Sequence, residues 1–153
     1  MLQLGDRAPT FTLYDQNSQK WRLTDQQNSR IALFFYPKAN TSGCTEQAVG
    51  LRDLLPEIGD VEVVGISADS PKRQAAWAEK YQLTFPLLSD PEHKVARKYF
   101  VFGPKKLYGR EYEGITRSLF LISPSGRIEG TWVKVSPKAT PGELLSALEK
   151  INE

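Results

Sequence analysis

Cys44 is the only cysteine in the chain, and it lies inside the stretch FFYPKANTSGCTEQAVG. A thiol becomes a strong nucleophile only as the thiolate, and a free cysteine with a pKa of about 8.5 is only about 3% ionised at pH 7. What Cys44 can do therefore depends on its surroundings. Helical spacing begins at this residue: Ala48, Leu51, Leu55 and Ile58 form one apolar stripe, and Cys44 extends it backwards by a turn. The cysteine is thus expected at the mouth of a helix, turned toward the protein. There, unpaired N–H groups and the positive end of the helix dipole favour the anion. Thr41, just upstream, carries a hydroxyl that can donate and accept. Pro37 ends the preceding apolar run, stiffens the loop and can shield the sulfur from water. Ser42 and Gly43 are small enough to let backbone approach a ligand closely. One loop thus supplies a nucleophile, a hydroxyl and backbone donors.

The elements around this loop can be read from periodicity and turn chemistry. FTLYDQNSQKWRLTD reads as an N-terminal β-hairpin around the polar turn DQNSQ. RIALFFYP, a continuous apolar run between Arg30 and Pro37, predicts a central strand covered on both faces. After the Cys44 helix, weakened at Gly50 and ended or kinked near Pro56, DVEVVGISA predicts another buried strand. SPKRQAAWAEKYQL predicts a helix capped by Ser70 with Pro71 at its first position. FPLLSD reads as a short strand, DPEHKVARKYF as a helix opened by a similar cap-and-proline pair, and GPKKLYGREYEG as a loop. TRSLFLIS and GRIEGTWVKV read as strands joined by the turn SPSG. TPGELLSALEKIN closes the chain as a helix with Leu144, Leu145, Leu148 and Ile151 inward. Alternating strands and helices followed by a late hairpin predict an α/β fold, thioredoxin-like in outline, with a central mixed sheet flanked by helices.

The spacing Pro37-xxx-Thr41-xx-Cys44 resembles the active-site signature of the peroxiredoxins. FFYPKANTSGCTEQAVGLRD is similar in particular to the bacterioferritin comigratory protein, or peroxiredoxin Q, branch. The similarity continues in order through VVGISADSP, FPLLSDPEHKVARKY and YEGITRSLFLISPSGRI, covering nearly the whole chain. The resemblance implies a peroxiredoxin fold and a thiol peroxidase that reduces hydrogen peroxide and organic hydroperoxides. Cys44 would be the peroxidatic nucleophile, oxidised to a sulfenic acid. Pro37 and Thr41 match the family's shielding proline and peroxide-binding threonine. Arg117 matches its active-site arginine, Gly43 and Cys44 would offer backbone N–H groups to the peroxide, and Gln47 matches a polar residue one turn into the helix. A guanidinium beside a thiolate favours ionisation and can donate to both peroxide oxygens. Raising the thiolate fraction from about 3% toward about 90% is worth only about 30-fold in rate. Most of the acceleration must therefore come from donors that stabilise charge on the departing oxygen.

One position departs from the pattern. Many members of this branch carry a resolving cysteine five residues after the peroxidatic one, where this chain has Val49. The sulfenic acid would then have no internal thiol to trap it, and an external thiol, whether thioredoxin, glutaredoxin or glutathione, is expected to recycle it. The other class to set against this one-cysteine enzyme is a non-enzymatic, redox-regulated binding or chaperone module on the same fold. The combination of Pro37, Thr41, Cys44 and Arg117 favours the enzyme, because a binding module has no use for all four.

Bulk properties agree with this picture. The 153 residues, 40% hydrophobic and 25% charged, suit a single globular domain spanning 1–153. A formal charge of +2 is too small to argue for nucleic acid or an anionic membrane. One cysteine and one histidine argue against a structural zinc site, and no metal or cofactor is expected. His93 is expected to be solvated and outside the chemistry, Asp90 and Glu92 to suit a helix dipole, and Phe34, Phe35 and Tyr36 to be core. The N-terminal MLQLGDRAPTFTL lacks the apolar core of a signal peptide, and no run approaches the roughly 18 residues of a membrane span. A cytoplasmic protein, monomeric as the resemblance implies, is the expectation.

Overall fold

The computed structural model describes residues 1–26 and 28–152. Its centre is a seven-stranded mixed sheet in the order β2-β1-β5-β4-β3-β8-β9. The N-terminal hairpin is β1 (Thr12–Tyr14) and β2 (Lys20–Arg22), followed in the interior of the sheet by β3 (Arg30–Phe35). Strands β4 (Val61–Ser67) and β5 (Leu87–Ser89) continue parallel to β3, and on its other side β8 (Ser118–Ile122) pairs antiparallel with β3 and β9 (Ile128–Val133) antiparallel with β8. The helices are α1 (Ser42–Leu54), α2 (Pro71–Tyr81), α3 (Lys94–Lys98) and α4 (Thr140–Ile151).

Period-two alternation in β3 creates two cores. Ala32, Phe34 and Tyr36 face one layer, where Cys44, Ala48 and Leu51 of α1, Trp77 of α2, and Leu144 and Leu148 of α4 pack against them. Ile31, Leu33 and Phe35 face the other, with Val95 and Ala96 of α3, Tyr99 and Phe120. This is why RIALFFY reads as an uninterrupted apolar run. Phe34, Phe35 and Tyr36 are all fully buried, as expected of core. Ser70 caps α2 by accepting the Arg73 amide at 3.2 Å, with Pro71 first in the helix.

Several expectations are corrected. GPKKLYGREYEG is a β-hairpin rather than a loop: β6 (Phe102–Leu107) and β7 (Arg110–Ile115) pair with each other outside the main sheet. Its strands are largely exposed, so no apolar alternation marks them, and its two-residue turn places Tyr108 as well as Gly109 at positive φ. The third helix is only Lys94–Lys98. Asp90 does not abut it but reaches across an intervening turn, its Oδ2 accepting from the amides of Val95 (3.1 Å) and Ala96 (3.0 Å). His93 is half-buried rather than solvated, its ring stacked on Phe102 with centroids 4.3 Å apart. Leu54 takes the inward place assigned to Leu55, which is half-buried at the start of a 3₁₀ turn over Leu55–Glu57. Ile151, on the last turn of α4, is exposed where an inward position was expected, and Leu145 is half-buried.

Gly50 does not interrupt α1. It is the point where α1 and α4 approach, and a Cβ there would stand 2.6 Å from Cγ of Pro141. Substituting Gly50→Ala sets two effects against each other. Helix propensity favours alanine by up to about 1 kcal/mol, whereas overpacking costs about 1–3 kcal/mol. The contact wins, and Tm is expected to fall by about 2–4 °C in a thermal unfolding scan. A rise in Tm would show that α4 yields freely at this point.

Candidate active site

The loop Tyr36–Thr41 leaves the end of β3 and delivers the chain into α1. It is held from beneath. The Ala39 amide donates to Asp69 Oδ2 at 2.6 Å, and the Ser67 hydroxyl donates to the same oxygen at 2.7 Å. Tyr36 Oη meets Gln74 Oε1 at 2.5 Å, while Gln74 Nε2 donates to Ser67 Oγ and Leu88 O. Burial pushes the Tyr36 phenol well above the usual tyrosine range, so it stays protonated and able to donate to Gln74. From α2, Trp77 Nε1 donates to Thr45 Oγ1 at 3.1 Å and ties down the first turn of α1. Asp69 was not singled out in the sequence, although a serine and an aspartate two residues apart at a strand end are a signal for such a loop anchor.

Helix α1 opens with Thr41 in the N-cap position and Ser42, Gly43 and Cys44 in its first turn. Its first intrahelical bond runs from the Thr45 amide to Thr41 O at 2.9 Å, so the amides of Ser42, Gly43 and Cys44 lie before any helical carbonyl. A threonine at this position ordinarily covers such amides. Here its side chain makes no cap bond and instead donates to Lys38 O at 2.8 Å. The helix mouth is left open, and the lone pairs of the Thr41 oxygen remain free to accept. Pro37 is exposed on this loop, Thr41 is exposed, and Cys44 is fully buried.

Arg117 comes to this point through strand register. Phe35 of β3 pairs with Ser118 of β8, so the residue before β8 lies beside the residue after β3. Arg117 Nη1 donates to Cys44 Sγ at 3.3 Å and to Gln47 Oε1 at 2.9 Å. Gln47 is fully buried and its other amide end donates to Thr140 Oγ1 at 3.0 Å. Gly43 is half-buried, and a Cβ there would stand 3.2 Å from Arg117 Nη2 and 3.4 Å from Cγ of Pro137. Its lack of a side chain makes room for the guanidinium. Cys44, Arg117, Gly43 and Gln47 therefore converge, with Thr41 at the N-cap position of the same helix and Pro37 earlier on its loop.

Lys105, on the β6–β7 hairpin, carries a second charge near Arg117. Its ammonium donates to Ile115 O at 2.8 Å, two residues before Arg117. Burial and then the charge of Arg117 lower its pKa, while Cys44 acts in the opposite direction. The basic stretch GPKKLYGR marks this segment in the sequence, but nothing in it singles out Lys105.

A buried thiol at a helix mouth, in contact with a guanidinium on a thioredoxin-like sheet, defines a class of redox-active proteins. The AhpC/TSA family model matches residues 4–131, and the chain belongs to that family. Peroxiredoxin Bcp of Escherichia coli (strain K12) is 48% identical over 130 residues, covering 84% of this chain and 83% of that protein. The crystal structure of a mutant of PrxQ from Xylella fastidiosa superposes with a TM-score of 0.93 at 31% identity, covering 100% and 99% of the two chains. A structure of the bacterioferritin comigratory protein of Xanthomonas campestris gives 0.90 at 30% identity, covering 100% and 99%. The protein is accordingly a peroxiredoxin-type thiol peroxidase of thioredoxin-like fold, using hydroperoxide substrates and thiol reductants.

The Gly43 contact is testable. Gly43→Ala places a methyl group against Arg117 and Pro137 and is expected to displace the guanidinium. The second-order rate of Cys44 with hydrogen peroxide, followed by stopped-flow fluorescence, should fall by about tenfold. An unchanged rate would show that the guanidinium can shift without loss.

Proposed function

We propose a one-cysteine mechanism in which Cys44 is the peroxidatic residue. The Cys44 thiolate attacks the terminal oxygen of a hydroperoxide. An S–O bond forms, the O–O bond breaks, and the departing oxygen takes a proton to leave as water or an alcohol. Cys44 is left as a sulfenic acid. The 3.3 Å contact between Arg117 Nη1 and Cys44 Sγ carries this reading, since it puts a permanent cation on a buried sulfur.

Each neighbour has a part. Arg117 and the open amides of Gly43 and Cys44 stabilise the charge that develops on the peroxide oxygens. Thr41 accepts the peroxide O–H, because its own proton is committed to Lys38 O. Pro37 rigidifies the loop and limits water. Gln47, buried with both amide ends engaged, acts by holding Arg117 rather than by touching substrate.

With Val49 in place of a second cysteine, the sulfenic acid condenses with an external thiol, releasing water. A second thiol then exchanges with the mixed disulfide and returns Cys44. Thioredoxin, glutaredoxin and glutathione are the reductants this chemistry admits. Hydrogen peroxide and organic hydroperoxides are the substrates; the Xanthomonas campestris relative was described for alkyl peroxide reduction, which supports the second class. We read residues 1–153 as one domain working as a monomer. A single unpaired thiol suits the reducing cytoplasm, and no helix among the described residues is long and apolar enough to cross a membrane.

Two measurements test the mechanism. Arg117→Lys keeps the charge but loses the planar fork, and its peroxide rate is expected to fall by at least about 100-fold. A rate within a few-fold of the parent would remove Arg117 from the chemistry. Excess peroxide without thiol should add two oxygens to the Cys44 peptide by mass spectrometry, as sulfinic acid, and added thiol should prevent it. Retention of full activity in excess peroxide without thiol would contradict the one-cysteine cycle.

A further inference from the structure

The structure assigns Thr140 a positioning role in the peroxide reaction, exerted through Gln47 on Arg117. This rests on the reading of Arg117 given above. Thr140 is the first residue of α4, distant in sequence from every other member of the site, and it is fully buried. Its hydroxyl donates to Ser136 O at 2.8 Å. Back-bonding to the carbonyl one turn earlier is the local preference of a helical threonine. With its proton committed, the Thr140 oxygen can only accept from Gln47, and it takes Nε2–H at 3.0 Å.

That commitment decides which way the Gln47 amide points. An amide has one donating and one accepting end, and in a buried setting each must find its complement. With Nε2 on Thr140, Oε1 is turned to Arg117 and accepts from Nη1 at 2.9 Å, the same nitrogen that donates to Cys44 Sγ at 3.3 Å. A reversed amide would set N–H against N–H at the guanidinium. The order runs Ser136 O, Thr140 Oγ1, Gln47, Arg117, sulfur, with every donor direction set by the step before it.

The same segment holds Arg117 from other sides. The Val135 amide donates to Arg117 O at 3.1 Å. Pro137 flanks the space over Gly43 that the guanidinium occupies. Residues 135–140, from the loop after β9 to the first residue of α4, therefore fix both the backbone and the head group of Arg117. A threonine that merely filled space at the start of α4 would require neither the hydroxyl nor its orientation.

The test compares Thr140→Val, nearly isosteric but without the hydroxyl, with Thr140→Ser, which keeps it. Two rates are measured for each at a pH where Cys44 is fully ionised: the reaction with hydrogen peroxide and alkylation by iodoacetamide. Alkylation needs the thiolate but no donors on a peroxide oxygen. Leaving a buried amide donor unpaired should lower the peroxide rate of Thr140→Val by about tenfold. Alkylation should change by less than about twofold, and Thr140→Ser should recover the peroxide rate to within about twofold, as expected if only the hydroxyl bond matters. Thermal unfolding of each variant accompanies the rates. A parent-like peroxide rate in Thr140→Val overturns the proposal, as does an equal loss of both rates or a failure of serine to restore the reaction. Should Thr140→Val fail to fold, a serine variant that folds yet reacts slowly would also overturn it. Arg117→Lys, assayed alongside, separates the two levels. If it loses the peroxide rate while Thr140→Val does not, only the relay fails. If it keeps the rate, the reading of Arg117 fails, and the relay with it.

Discussion

A buried sulfur beside a guanidinium is the contact on which the rest of the site depends. Burial alone opposes the thiolate, because a charge taken out of water must find compensation. Arg117 Nη1, 3.3 Å from Cys44 Sγ, supplies it. The cation is itself only half-exposed, so it too needs an acceptor, and Gln47 Oε1 provides one. Much of the surrounding structure serves to keep these charges together: the pairing of Phe35 with Ser118, the missing side chain at Gly43 and the amide bridge to Thr140.

The helix mouth adds a second constraint. A helix start that satisfied its own amides would be more stable but could offer them to nothing else. Thr41 sits where a cap belongs and bonds to Lys38 O instead, so the first turn of α1 remains able to receive an anion. The resulting loss of local stability is offset underneath. Asp69 takes the Ala39 amide, the Tyr36–Gln74–Ser67 bonds tie the loop to α2 and β5, and Trp77 holds Thr45. On the far side, α1 is pressed against α4 at Gly50 and Pro141. A helix held on both sides keeps its nucleophile in one place. That suits the cycle proposed above, in which the thiol that restores Cys44 comes from outside the chain and no internal partner has to be reached.

Placing the site at the end of β3 follows from the fold. β3 and its antiparallel neighbour β8 are inner strands buried on both faces, and close packing fixes their positions. The loop that leads to Cys44 leaves the end of one strand, and Arg117 precedes the start of the other. Chemistry at the rim of a rigid sheet combines a fixed geometry with surface loops, and the separate β6–β7 hairpin meets this rim where Lys105 turns back onto Ile115 O.

Local physics made much of this legible in the sequence. The inner strands are visible because residues covered on both faces must all be apolar. The capped start of α2 is visible because serine followed by proline has one favoured geometry, and Cys44 at a helix mouth follows from the stripe Ala48 and Leu51. Arg117 was legible only through resemblance to a family, since nothing near it in sequence says that it meets a thiol. The tertiary structure alone decided the rest. The partners of Gln47 lie 70 and 93 residues away and that of Ala39 lies 30 away, and no periodicity carries such distances. The hairpin β6–β7 escaped notice because exposed strands carry no apolar alternation. Gly50 looked like a weak point in a helix until α4 was seen against it. Composition and periodicity report what each residue prefers toward water and its immediate neighbours. Which distant groups share a buried volume is settled only when strand pairing and helix packing close it.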